Sequence, residues 1–426
     1  MDIIIKENSN VICGEIIPPS DKSISHRSLI LGAVAKGTTK IYNLLESEDV
    51  LATMQIVKQL GVKIEKNHNY HIINSLGYRE LKQSEEILDA KNSGTTMRLI
   101  QGVLAGLSGN HYLIGDKSLN KRPMQRIIKP LSKMGADIKA HKQNYAPLNI
   151  RGSKLKAIDY TLEIPSAQVK SAIILAALFA EGTTKLTEPI ISRNHTEQML
   201  PCFGGKITKK QDTYLIPGNQ QLTGAIVKVP NDFSSASFFI ALGLIHHNSK
   251  IYIKEVNLNH TRTGLLDVIK KMQGSVEIQK ITSEQGNILV KSSQLHGTEI
   301  GGELIPRLID ELPIVALLAT QAQGKTIIHD AKELRYKETD RIHTVVKNLR
   351  KMGANIKELS DGMQIEGPTP LIGTHVDSYY DHRLGMMLSI AGIIAKGQTV
   401  ISNAESVNIS YPTFFEDLAK IQGENK

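Results

Sequence analysis

The residues best suited to chemistry are basic side chains placed where helices begin. Asp21-Lys22-Ser23-Ile24-Ser25-His26-Arg27, Asn92-Ser93-Gly94-Thr95-Thr96-Met97-Arg98, Ser166-Ala167-Gln168-Val169-Lys170 and Asp381-His382-Arg383 each open a run of small and apolar residues. Asp232-Phe233-Ser234-Ser235 and Asp310-Glu311 stand in the same place ahead of two further runs. Lys121-Arg122-Pro123, Arg193-Asn194-His195-Thr196-Glu197, Asn259-His260-Thr261-Arg262 and Lys337-Glu338-Thr339-Asp340-Arg341 precede runs with one apolar face. Helix starts present unpaired N–H groups and the positive end of the helix dipole, so they attract anions. Ser, Thr, Asp and Asn are ordinary caps there, which accounts for Asp232, Ser234 and Ser235. It does not account for Lys22, Arg27, Arg98, Lys170, Arg193, Arg341 and Arg383. A cation at a helix start works against the dipole and is costly to bury alone. A bound anion would resolve that conflict, if these starts converge.

The elements that must position these residues repeat about every seventy residues. Gly61, Gly135, Gly204, Gly274, Gly353 and Gly423 each end a stretch of helical apolar spacing. Ile64, Ile138, Ile207 and Ile356 follow three residues later, and Ile278 slips by one. A glycine past the last apolar turn stops a helix, and the apolar residue beyond it starts a strand. A second series, Gly37, Gly182, Gly324 and Gly397 with Gly109 and Asn248, follows runs such as Ser171 to Ala180. Those runs are apolar nearly all round and predict buried helices. Ala319 to Thr326 loosely matches a phosphate-binding P-loop, but here the helix comes first and a strand follows, so it reads as the repeat's turn. Six such units exceed one ordinary core, so two domains of three are expected: 19–228, and 1–18 with 229–426. The N-terminal strands are expected to complete the sixth unit.

Composition narrows the class. Of 426 residues, 41% are hydrophobic and 22% charged, as in a globular chain. Ala172 to Ala180, the longest apolar run, is too short to span a membrane. Met1-Asp2-Ile3-Ile4-Ile5-Lys6 does not read as a signal peptide, and Cys13 and Cys202 read as free thiols of a reducing compartment. A cytoplasmic protein is expected. The net charge of +9 suits an anionic ligand. Aromatic residues are 4%, tryptophan is absent and basic residues are scattered, which argues against nucleic acid. No His/Cys/Asp set has metal-ligand spacing, so no metal is expected.

Taken together, these motifs resemble the enolpyruvyl transferases along the whole chain. Asp21–Arg27, Asn92–Arg98, Lys121–Pro123, Lys337–Arg341 and Asp381–Arg383 stand in that family's order. Ser166–Lys170, Arg193–Glu197 and Asn259–Arg262 resemble its class II forms. The resemblance implies an α/β fold, a two-domain inside-out barrel of six βαβαββ repeats, three per domain. It implies transfer of the carboxyvinyl group of phosphoenolpyruvate to the 5-hydroxyl of shikimate 3-phosphate, in a monomer, without a cofactor. By resemblance, Lys22, Asn92, Gly94, Arg122, Gln168, Arg341 and Arg383 hold phosphoenolpyruvate. Lys22, Ser23, Arg27, Ser166, Ala167, Gln168, Arg193, Asp310 and Lys337 hold shikimate 3-phosphate. Asp310 and Lys337 are candidates for proton transfer at the hydroxyl and Glu338 at the methylene. His382 either assists or orients.

Two departures are visible. Some members carry a lysine near the C-terminus where this chain reads Asn408-Ile409-Ser410-Tyr411-Pro412, and Lys91 stands where glycine commonly precedes Asn92. Gly94 leaves room for glyphosate, while the class II motifs point the other way. Since the expected substrate residues are split between two domains, closure on binding is expected. The sister branch that uses UDP-N-acetylglucosamine has asparagine after the first lysine and a mobile-loop cysteine. This chain has Ser23 and no cysteine between Cys13 and Cys202. A pure anion or nucleic-acid binder would have little use for Asp310 and Glu338 among the cations. A linear RNA phosphate cyclase shares part of the repeat, but its histidine context is not evident.

Overall fold

A computed structural model describes residues 1–423. The chain forms two compact units, one from Ser20–Val229 and one from Met1–Pro19 with Pro230 onward. Each unit has its own apolar core.

Ser20–Val229 holds three buried helices: α1 (Lys22–Val34), α2 (Gly94–Leu104) and α3 (Ala167–Ala177). Their sequences are small and apolar on nearly every face, so no side is left for water. Packing is close between α2 and α3, where a Cβ added to Gly102 would lie 2.2 Å from the Ala172 carbonyl oxygen. Three four-stranded sheets surround them. The first runs Ile226–Lys228, Lys36–Tyr42, Tyr70–Leu76, Lys63–Lys66, with its first pair parallel and the others antiparallel. The second and third sheets repeat that arrangement around Asn110–Ile114 and Thr183–Thr187.

The other unit has the same parts. Its buried helices are α4 (Phe233–Ile245), α5 (Leu312–Gln321) and α6 (His382–Ile394). Two four-stranded sheets and one three-stranded sheet pack with them among the described residues. The N-terminal strands divide their service. Ile3–Lys6 pairs antiparallel with Gln398–Ser402, in the last sheet. Cys13–Ile16 instead runs parallel to Lys250–Asn257, in the sheet that follows α4. The expectation that both complete the sixth unit is therefore corrected, because the chain turns toward Ser20 directly after its second strand.

The helix stops form as expected with one correction. Gly61, Gly135, Gly204 and Gly353 all have φ between 73 and 100°. In each, the N–H one residue later reaches the carbonyl five residues before it, as in Val62 to Val57 and Ala354 to Leu349. In the fourth stop Gln273 takes the left-handed place at φ 62°, and Gly274 supplies the N–H, bonded to Ile269. That one-residue offset explains the slipped isoleucine. The second series also has positive φ throughout, from Gly109 at 109° to Asn248 at 54°. The P-loop match falls on the end of α5 and the strand Gly324–Ile328, as its order requires.

Candidate active site

In Ser20–Val229 the candidate cations gather where α1, α2 and α3 begin. Asp21, Ser93 and Ser166 cap these helices through their side chains, accepting from the N–H groups of Ile24, Thr96 and Val169. Ser166 is thus a cap as well as a candidate ligand. Lys22 Nζ lies 2.9 Å from Asp49 Oδ2. Arg122 is buried and donates to Asn92 Oδ1 at 3.2 Å, while Asn92 donates to Asp116 Oδ2 at 2.7 Å. Arg98 donates to Gln168 Oε1 at 3.0 Å, which ties α2 to α3. Gly94 sits between two guanidiniums: an added Cβ would lie 2.8 Å from Arg98 Nη1 and 3.2 Å from Arg122 Nη1. Lys91 adopts φ 51°, so glycine's advantage at that position is conformational.

Ser23 and Ala167 sit at the first turns of α1 and α3, half-buried, and Arg193 is half-buried just before the helix His195–Met199. Arg27 is almost wholly buried and donates to Thr196 Oγ1, Ser171 Oγ and the Ser23 carbonyl. Lys170 requires a correction. It was expected among the anion-facing cations, but it is fully buried with Glu188 Oε2 and Glu197 Oε1 each at 2.7 Å. Its counter-charges are internal because the segment Glu188 to Glu197 folds back over α3. Glu188 also accepts from the Ser192 N–H and hydroxyl, which fixes the turn that carries Arg193. Nearby, burial first and then Glu197 and Glu188 push the Tyr214 hydroxyl's pKa up. A cavity of about 760 Å³ lies at the other ends of the three helices, lined by Lys36, Tyr78, Arg79, Phe179 and Glu181 among others. It holds none of the candidate residues.

The second unit carries a charge network at the starts of α4, α5 and α6. Arg341 is buried at the first position of the helix Arg341–Lys351. Its Nε lies 2.8 Å from Asp381 Oδ2, its Nη1 3.3 Å from Asp310 Oδ1, and its Nη2 donates to Glu338. Burial opposes that charge, but Asp381, Glu338 and Asp310 outweigh it and hold the guanidinium's pKa above its ordinary value. Lys337 Nζ donates to Asp310 Oδ1 at 2.9 Å. The Asp310 and Glu338 side chains are 14% and 17% exposed, partly desolvated yet reachable. His382 and Arg383 open α6 and are nearly buried.

Sequence reasoning gave no role to Arg262, Glu311, Asp49 or Asp116. Arg262 is buried against Ser234, Asp232 and Glu311, so Ser234 is more than a cap. The signal for Arg262 and Glu311 was their place at helix starts beside named candidates. Asp49, in the first turn of Glu48–Gln59, reads from sequence as a plain first-turn acid.

A family model described as EPSP synthase (3-phosphoshikimate 1-carboxyvinyltransferase) matches residues 6–418. The chain belongs to the EPSP synthase family. It is 49% identical over 422 residues to a 3-phosphoshikimate 1-carboxyvinyltransferase of Bacillus cereus, with 98% of each chain covered. A protein of the same name from Bacillus anthracis matches equally well, at 49% identity and 98% coverage of each. Among solved structures, the EPSP synthase of Acinetobacter baumannii superposes with a TM-score of 0.86 at 37% identity, covering 99% of this chain and 98% of that one. The enolpyruvyl transferase NikO of Streptomyces tendae, at 16% identity, shares the fold with a TM-score of 0.79, covering 99% and 97%. The mixed α/β fold is therefore that of EPSP synthase structures, and this family member is a carboxyvinyltransferase. No helix among the described residues is long and apolar enough to cross a membrane.

Proposed function

We propose that the two clusters handle two anionic substrates, phosphoenolpyruvate and shikimate 3-phosphate, in a defined division of labour. The reaction is transfer of the enolpyruvyl group to the 5-hydroxyl of shikimate 3-phosphate with release of phosphate, a step of aromatic amino-acid biosynthesis. The hydroxyl oxygen attacks C2 of phosphoenolpyruvate while C3 gains a proton. In the second step C3 loses a proton and the phosphate departs with the C2–O bonding pair. Lys22, Asn92, Gly94, Arg122, Gln168, Arg341 and Arg383 take phosphoenolpyruvate, with Arg suited to fork-like pairing. Lys22, Ser23, Arg27, Ser166, Ala167, Gln168, Arg193, Asp310 and Lys337 take shikimate 3-phosphate.

The observation that carries the proton assignment is the chain Lys337, Asp310, Arg341, Glu338. One arginine links the two carboxylates, and one lysine shares the first of them. Asp310 with Lys337 serves the hydroxyl proton, and Glu338 serves the methylene. His382 either assists a proton transfer or orients its neighbours. The repeated strand order of the sheets, each with a buried helix, supports six βαβαββ units in an inside-out barrel. The same reading takes the protein as a cytoplasmic monomer that works without a cofactor.

Phosphate release from phosphoenolpyruvate plus shikimate 3-phosphate tests the reading, with UDP-N-acetylglucosamine as control acceptor. Turnover is expected only with shikimate 3-phosphate, and Lys22→Ala is expected to lower it by at least about a hundredfold. Turnover with the control acceptor alone would move the assignment to the sister branch. Silence with both would leave a binding protein.

A further inference from the structure

Glu311 has no exposed surface, and none of the steps above uses it. Its Oε1 accepts from Ser234 Oγ and lies 3.8 Å from Arg262 Nη2 and 3.7 Å from Arg383 Nη1. Its Oε2 is buried without a hydrogen-bond partner among the described residues. A carboxylate is kept in such a place only if its charge is needed there. The plain explanation, a counter-ion for Arg262, is insufficient. Arg262 already has Asp232 Oδ1 at 3.5 Å and Asp310 Oδ2 at 3.9 Å.

Arg383 shows what remains. Its Nη1 faces Glu311 and lies 3.5 Å from the Ser234 carbonyl oxygen. No hydrogen bond within the described residues engages its Nε or Nη2. The guanidinium is therefore held at one end, with the Nε–Nη2 edge left for an incoming anion. That edge is the one that forks onto a carboxylate or phosphate.

We infer that Glu311 is a positioning residue that holds the Nη1 end of Arg383, so that its other edge faces phosphoenolpyruvate. The inference rests on the reading that Arg383 binds that substrate. Glu311→Gln keeps the volume and an acceptor for Ser234 but removes the charge. It is expected to raise the KM for phosphoenolpyruvate about tenfold, with kcat and the KM for shikimate 3-phosphate within about twofold. Ile390→Val, a core truncation on α6, supplies the comparison: it lowers Tm with both KM values unchanged. A KM for phosphoenolpyruvate at the wild-type value in Glu311→Gln overturns the inference, as does a rise shared equally by both substrates. If Glu311→Gln does not fold, Glu311→Asp decides. It keeps the charge but withdraws it by one methylene, and an unchanged KM for phosphoenolpyruvate would overturn the inference. Arg383→Lys tests the underlying reading separately: if it leaves that KM unchanged, the substrate assignment of Arg383 fails whatever Glu311 does.

Discussion

His26 lies one turn beyond Lys22 with no exposure, and its Nδ1 is 2.7 Å from Thr53 Oγ1. Thr53 meets Thr96 at 2.6 Å, and Thr96 meets the capping hydroxyl of Ser93 at 2.7 Å. The imidazole thus props the start of α2 from α1. Burial, then Lys22 and Arg27, hold its pKa well below the ordinary 6.5. In the unfolded chain this group gains a proton near pH 6.5, whereas in the fold it stays neutral to lower pH. The unfolded state then binds more protons, so its contribution is complete above that pH and is lost as pH falls below it. His26→Asn is expected to flatten the fall of Tm between about pH 7 and pH 5. Parallel curves for the two proteins would refute this. At this scale the cations were legible because cationic residues at helix starts break a rule. Their neutralisers were not: Asp49 lies 27 residues from Lys22 and Glu188 lies 18 from Lys170, and only folding brings them together. Lys170 was misjudged for that reason.

Elements were legible wherever one residue type had a single conformational use. Glycines at the helix stops hold positive φ, and the apolar runs form helices buried on every side. The fourth stop shows the limit. Spacing pointed to Gly274, but the left-handed residue is Gln273, exposed at the end of Gly264–Lys271. A side chain costs energy there, and Gly274 earns its place through tight packing, 2.6 Å from an added Cβ to Ile269 Cγ2. Gln273→Gly is therefore expected to stabilise the protein by about 0.5–1 kcal/mol in denaturant titration. A loss of stability would show that Gln273 makes a contact worth more than its backbone strain. Edge partners were less legible, because Ile226–Lys228 and Cys13–Ile16 are short and each could serve several sheets.

Across the whole molecule, one unit is a continuous stretch of chain and the other is not. Strand Ile3–Lys6 pairs with Gln398–Ser402, nearly the full chain away. Closing so long a loop carries a larger entropic cost than any pairing inside Ser20–Val229. In refolding followed by pulsed hydrogen exchange, the amides of Lys36–Tyr42 and Asn110–Ile114 are expected to gain protection before those of Ile3–Lys6. Simultaneous protection would show that the two units fold as one.

During synthesis the order becomes a matter of waiting. Ile3, Ile4 and Ile5 leave the ribosome well ahead of their partner strand, which follows some 390 residues later. At about 5–20 residues per second that is roughly 20 to 80 s on the ribosome. For that interval a short, aliphatic, unpaired strand is open to any neighbour with a free edge, including another nascent copy of itself.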